Sequence, residues 1–265
     1  MPRAIDTILF SAVNPGAGGA VATIATGDAA IVRTFNPPAQ AYLESLIRQG
    51  TTAGFLGVTS PELHDPVRGI RITPGESPAL FALPAEYSEQ LTSADTLTYT
   101  LAGGGAETDI GAAVVYYTDI GSNGAALYNP GDIAGNVAHI KPQAVAVTSN
   151  ATAGQWQDVS LTTTENILHS KSQYAVLGYT TNAALGVIGI KGQCTGYLRV
   201  CGPGATFEAK TSNYFIAMSE LTGRPHIPVF NASDAPNVFV SVAAAAASVS
   251  TVVELILAEL IHPLA

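Results

Sequence analysis

Short apolar runs, many alternating with polar residues, recur along the whole chain and are separated by clusters of Gly, Pro, Asn and Ser. Period-two alternation puts successive side chains on opposite faces of an extended strand, and such clusters supply the turns between strands. In the first half the pattern predicts strands near Thr7–Phe10, Ala20–Ala25, Ala30–Phe35, Gly54–Thr59, Val67–Thr73, Ala79–Leu83, Thr96–Leu101 and Ala112–Asp119. In the second half it predicts Gln143–Thr148, Trp156–Thr162, Tyr174–Thr180, Gly186–Lys191, Gly196–Cys201, Ile227–Phe230, Val238–Val242 and Thr251–Glu259. Two segments read as helices. Pro38 to Gln49 has Pro at a first helical position, Gly50 as a stop, and an apolar stripe of Leu43, Leu46 and Ile47. Asn213 to Thr222 starts on an N-cap residue and ends before Gly223 and Pro225.

Runs recur in the same order in the two halves. Leu56-Gly57-Val58-Thr59 is followed by Gly69-Ile70-Arg71-Ile72, and Leu177-Gly178-Tyr179-Thr180 by Gly189-Ile190-Lys191. Leu83-Pro84 then matches Ile227-Pro228, and Asp95 matches Asp234. A small-residue stretch follows in each half (Ala102 to Ala106; Ala243 to Ala247), and then an apolar closing strand (Val114 to Tyr117; Leu255 to Leu257). The shared order predicts a tandem duplication, although the spacing drifts and the helices fall at non-equivalent places. The expected fold class is all-β: two tandem jelly-roll-like β-sandwiches with short helices in loops. The first would cover residues 1–125 and the second 135–265, with a linker near Asn123–Asn136 in which Tyr128-Asn129-Pro130-Gly131-Asp132 reads as a turn. The pattern leaves open whether the sandwiches stand apart or share one core.

Composition changes the picture at the surface. Only 12% of the 265 residues are charged while 47% are apolar, against a usual charged share of about 25%. So few charges predict either a neutral Thr/Ser/Gly/Asn/Gln exterior or one covered by other subunits, and hence an oligomer. Eleven basic and twenty acidic residues leave a net charge of −9, and no basic run occurs anywhere. This argues against direct nucleic-acid binding, which needs Lys/Arg to neutralise phosphates, and against a polybasic lipid contact. Cys194 and Cys201 bracket six residues. In one strand their odd spacing would put them on opposite faces, too far apart for a disulfide, so both are expected to be reduced. Met1-Pro2-Arg3-Ala4-Ile5-Asp6 lacks the apolar core of a secretory leader. Val238 to Ile261 is apolar enough to raise a membrane span, but Glu254, Glu259 and its β-branched second part favour strand–turn–strand, so no span is expected.

Candidate chemistry is sparse. His64, His139, His169, His226 and His262 show no zinc-type spacing. His64-Asp65 is the best acid–base pair by sequence and falls in a predicted turn, while His139 and His226 border strands and read as edge or interface residues. Pro15 to Gly19 and Gly202-Pro203-Gly204 lack the residues of dinucleotide or phosphate loops. Thr108-Asp109, Asp119 and Asp132 lack the spacing of a calcium loop. Asn150-Ala151-Thr152 and Asn231-Ala232-Ser233 match a glycosylation sequon by chance. Trp156, the sole tryptophan, reads as a core or interface anchor more than a sugar platform, and of Tyr116-Tyr117 only one can face outward. No catalytic, cofactor-binding or metal residue is therefore assigned, and no cofactor or enzymatic activity is expected.

With two successive strand-rich halves, a repeated order of runs, and an acidic, charge-poor, Thr/Gly/Ala-rich composition, the chain resembles viral capsid proteins of the double jelly-roll type, as in bacteriophages. That resemblance spans nearly the whole chain and implies a structural virion protein. It would self-assemble as a trimer whose six jelly rolls form a pseudo-hexagonal capsomer, located in the virion and assembled in the host cytoplasm. The partners it implies are copies of the chain and other virion proteins. The absence of a basic N-terminal region departs from several such capsids and puts genome or membrane contact in doubt. A decoration or tail component and a carbohydrate-binding β-sandwich module are the alternative readings.

Overall fold

The computed structural model describes residues 3–16, 18–23, 32–35, 39–50, 54–63, 69–72, 79–92, 94–118, 120, 125–182, 185–204 and 211–264. The first half holds β1 (Arg3–Val13), β2 (Ala20–Thr23), β3 (Gln40–Gln49), β4 (Phe55–Thr59), β5 (Ile70–Ile72), β6 (Ala79–Ala82), β7 (Glu89–Leu91), β8 (Thr98–Ala102) and β9 (Thr108–Thr118). Next come β10 (Leu127–Tyr128), α1 (Pro130–Ile133), β11 (Val137–Thr148), β12 (Gln157–Ser160) and β13 (Gln173–Thr181). The chain continues through β14 (Val187–Lys191), β15 (Val200–Pro203), α2 (Tyr214–Thr222), β16 (Ile227–Asn231), β17 (Phe239–Ala243) and β18 (Ser250–Leu260).

Among the described residues, four antiparallel sheets form. Their orders are β1-β9-β3-β6 with β7 also on β3, β2-β8-β4-β5, β10-β16-β13-β18-β11, and β12-β17-β14-β15. If the strands of each half are counted in chain order from β1 and from β11, with β6 and β7 sharing one place, both halves have the same connectivity. The first strand pairs with the eighth, the eighth with the third and the third with the sixth; the second pairs with the seventh, the seventh with the fourth and the fourth with the fifth. This is the two-sheet Greek-key arrangement of a jelly roll, occurring twice in tandem. The halves also share a defect. The third strand of each slips by one residue against the eighth, between Leu43 and Ser45 in β3 and between Val176 and Gly178 in β13.

This topology corrects part of the internal alignment. Leu56–Thr59 lies in the fourth strand of its unit, but Leu177–Thr180 lies in the third strand of the other; Ile70–Ile72 is a fifth strand, but Gly189–Lys191 a fourth. Leu83-Pro84 comes after a sixth strand, whereas Ile227-Pro228 opens one; the remaining correspondences hold, since Asp95 and Asp234 both precede seventh strands, the small-residue stretches follow them, and the closing strands are both eighth.

Of the helix predicted over 38–49, Gln40 to Gln49 form a strand, β3, and Pro38 lies outside the described residues. Its apolar residues do not alternate because it is buried on both faces. Leu43 and Leu46 pack in the core shared with β4 and β8, while Ile47 faces the second half. The second predicted helix forms as α2, closed by Gly223 at φ 66°. Val32 to Phe35 is not a strand; it is held by exchange between Val32 and the Ala94–Asp95 backbone. Residues 196–199 turn instead of extending, and Cys194 sits in a helical turn before β15, so the two free, buried cysteines do not share a strand. The expected Tyr128–Asp132 turn is α1, whose start is tied by the Asn129 N–H donating to Asp132 at 2.8 Å. Val238 to Ile261 forms strand–turn–strand as expected, and no helix among the described residues is long and apolar enough to cross a membrane.

One sheet organises the rest. In β1 and β9, Ala4, Ile8, Phe10, Ala113, Val115 and Tyr117 point to β4 and β8, while Ile5, Leu9, Ile110, Ala112, Val114 and Tyr116 point to the second half. That second set lies in the same apolar cluster as Ile188, Val200, Val240, Val253 and Leu255 from the core of the other unit. The two sandwiches therefore share a core across their contact. The join is close: a Cβ on Gly186 would lie 2.4 Å from Ile110, and one on Gly154 would lie 2.3 Å from Ser11. Leu9→Ala, which empties the first-half side of this join, is expected to cost about 2–5 kcal/mol. Because Trp156 packs against the same core, its fluorescence midpoint in urea should shift to lower denaturant; an unmoved midpoint would show that the halves unfold independently.

Candidate functional site: an ionic seam and an uncovered sheet face

The seam between halves carries a buried ionic cluster built on the β3 bulge. Glu44 is the residue left over where the register slips, and the bulge turns its carboxylate toward the second half. From that half comes the turn after α2, where Gly223 and Pro225 end the helix and bring Arg224 and His226 to the seam. His226 Nε2 lies 2.7 Å from Glu44 Oε2, and Arg224 Nη1 lies 3.5 Å from Glu44 Oε1. The Arg224 guanidinium stacks between Tyr42 and Tyr116, at 4.6 and 4.9 Å from their ring centres. His226 Nδ1 faces the Arg224 carbonyl at 2.9 Å, and because a carbonyl oxygen can only accept, that nitrogen is the donor. A His–Glu pair is the equipment of general acid–base catalysis, but His226 is 2% and Glu44 1% exposed. The arrangement joins the halves; a substrate has no access to it.

Three further groups engage other charges. Arg48 and Asp109, both fully buried, pair at 2.7 Å, and Asn14 donates to the same carboxylate at 2.9 Å. Gly50 is required there, since its Cβ would lie 1.9 Å from Asp109 Oδ1. Asp158 accepts from Lys191, Arg199 and Ser241 at 2.8, 3.0 and 2.7 Å. Its burial opposes ionisation, but these bonds outweigh that and lower its pKa. Glu259 accepts from Ser172 at 2.6 Å and His169 at 2.8 Å, and pairs with Lys141 at 2.9 Å. Burial again works against ionisation, and the three hydrogen bonds more than offset it, holding the carboxyl at about 2.

The residues singled out by sequence are thereby placed. His64 and Asp65 lie outside the described residues, as does Asp119. His139 stands exposed on the edge strand β11 and His226 is at the interface between halves, both as expected. Asp109 is taken up by Arg48, and Asp132 by the start of α1. Tyr116 and Tyr117 do point oppositely, but both are buried. Trp156 is half-buried against the core, with the Arg199 guanidinium 4.7 Å over its ring, which occupies the face that a sugar would need. A cavity of about 440 Å³ beside Tyr128, Phe230 and Leu264 gathers one carboxylate, Asp234, and the Cys194 thiol. Burial pushes that thiol up to about 12 and keeps it protonated. Among the described residues no group of three or more metal-type ligands occurs. Sequence reading missed Glu44 with His226 and Arg48 with Asp109. Charged residues inside apolar strands of a charge-poor chain are the signal for both.

One outer sheet face lacks such partners. In β11, Gln143, Val145 and Val147 point inward, whereas Ile140, Pro142 and Ala146 are exposed. Across the ladder Pro142 meets Ile256, Ala144 meets Glu254 and Ala146 meets Val252. Ile140 is 55% and Val252 44% exposed, giving an apolar stripe with one carboxylate, Glu254, which accepts from the Thr180 hydroxyl at 3.4 Å. The edge of β11 is closed over part of its length. The outward N–H groups of Ala144 and Ala146 donate to the side chains of Glu165 and Thr164 at 2.8 and 2.7 Å. Pro142, next in that parity, has no N–H.

No family model and no curated protein sequence matches the chain. Among the solved structures that match, three illustrate the level of similarity. The PBSX exported protein XepA is 8% identical, over 96% of this chain and 86% of that one, with a TM-score of 0.25. An archaeal virus structure described as a triple jelly-roll fold and turret assembly is 11% identical, over 98% of this chain and 58% of that one, at 0.23. The STIV MCP is 8% identical, over 98% and 97%, at 0.19. At these TM-scores none of the three carries an argument about this chain.

Removing Glu44 strands the Arg224 cation and leaves His226 Nε2 without its partner. Glu44→Ala is expected to lower stability by about 3–5 kcal/mol, and Glu44→Gln, which keeps an acceptor for His226, by less; equal losses in chemical denaturation would rule out a role for the charge. Because the Glu259 pKa is depressed, its contribution is complete above the ordinary value of 4.5 and disappears as pH falls towards about 2. The melting temperature should therefore drop over that window in the parent and less steeply in Glu259→Gln; parallel curves would contradict the assignment.

Proposed function

We propose that the chain is a structural shell protein of a virus particle and acts by self-assembly, not catalysis. The observation that carries this reading is the finish of the β11–β18 outer face, where Ile140, Pro142, Ala146, Val252 and Ile256 stand in positions that a monomer would give to charged residues. The chain has charges to place there but engages them inside: Arg48, Lys141, Lys191, Arg199 and Arg224 all pair with carboxylates of their own chain. Two jelly rolls fused through one core make a stiff block suited to tiling, and obligate interfaces are large and apolar.

In finer detail, the units are taken as 1–125 and 135–265, and three chains would close into a ring of six jelly rolls, a capsomer of the shell. Partners are then copies of the chain and other virion proteins, and the location is the virion. Sedimentation of the purified protein across a range of concentrations, with negative-stain microscopy of the heaviest fraction, tests this. Trimers or larger closed assemblies are expected. A monodisperse monomer at the highest concentration would sink the reading.

A further inference from the structure

Self-assembly of two-sided blocks requires two faces that fit each other, and the two outermost sheets differ in a complementary way. On one side is the β11–β18 stripe, apolar around the carboxylate of Glu254. On the other is the outer face of the β2-β8-β4-β5 sheet. There Leu56 and Val58 point into the core, which leaves Phe55 and Thr59 of β4 on the outer side, and Arg71 stands opposite Gly57 in the ladder. Arg71 is exposed, its guanidinium lies 4.9 Å over the Phe55 ring, and among the described residues no carboxylate pairs with it. The flanking positions, Thr98 and Thr100, are neutral. Among the described residues, Arg71 is thus a cation held in place by an aromatic ring but left without an anion. Glu254 is, among the same residues, an anion without a cation, set in an apolar surround.

We infer that the Phe55–Arg71 face of one copy docks on the Ile140–Val252–Glu254 face of a second copy, with Arg71 pairing to Glu254. This rests on the self-assembly reading above and names the surfaces that it uses. The occupant is the chain itself, because the two faces match in both respects: each is a sheet face of mixed apolar and neutral character, and among the described residues each carries one uncompensated charge of opposite sign. Arg on an aromatic platform is the residue type that dominates interface energies. The contact is head-to-tail, since the two faces lie on opposite halves of the chain. Such a contact propagates from copy to copy and closes into a ring where the rotation allows it.

Charge exchange tests the pairing. Arg71→Glu and Glu254→Arg each place like charges opposite one another and should raise the concentration for half-assembly by about tenfold or more. The double variant, which restores the pair in reverse, should return to near the parent value. Circular dichroism and melting temperature of each single variant should match the parent, because both positions are exposed. If the parent assembles and the single variants assemble equally well, or the double variant recovers nothing, this docking is wrong while the self-assembly reading stands. A parent that never assembles removes both.

Discussion

Burial of a single sheet on both of its faces is the constraint from which the rest of the structure follows. Strands β1, β9 and β3 have no solvent side over most of their length, so their side chains must satisfy a jelly-roll core on one face and the neighbouring unit on the other. An open antiparallel sheet shows one wet and one dry face; here both are dry, and the sequence of these strands becomes nearly continuous in apolar residues. The two units cannot then be independent beads on a string. Ile5, Leu9, Ile110 and Val114 gain their burial only when the second half is in place.

Double burial also explains where the charges went. A polar residue in such a strand has no route to water and must find its partner inside the protein. Glu44 finds His226 and Arg224 across the seam, Arg48 finds Asp109, and in each case the pair is enclosed by aromatic rings or glycines that permit the close approach. Buried pairs of this kind add little net stability compared with apolar packing, but they are costly to mismatch. They suit a join that must form in one register. Each charge paired inside is one fewer on the exterior.

The fold class was readable from the chain because alternating strands, turn residues and a repeated order of runs are local signals, and local signals survive in each unit. In β18, where one face is wet over the first part of the strand, the expected and observed limits differ by one residue at each end. The miss at 38–49 has a physical cause. Leu43, Leu46 and Ile47 are spaced as on a helix, but the spacing arises from a bulge at Glu44 in a strand that is apolar on both sides. The internal alignment slipped by one strand for a related reason: Gly-rich β sequence repeats itself without marking which strand it belongs to, and only hydrogen-bonded pairing tells a third strand from a fourth.

By itself, then, the amino-acid sequence determined an all-β, twice-repeated, charge-poor chain with reduced cysteines and no motif of known chemistry, because composition and periodicity act over a few residues at a time. Tertiary structure alone decided that the two jelly rolls share a core, that Glu44 meets His226 across 182 positions of chain, and which apolar residues remain uncovered. Those outcomes depend on which faces of distant strands come to lie together, and side chains cannot select a partner until the pairing of the sheets has brought it within reach.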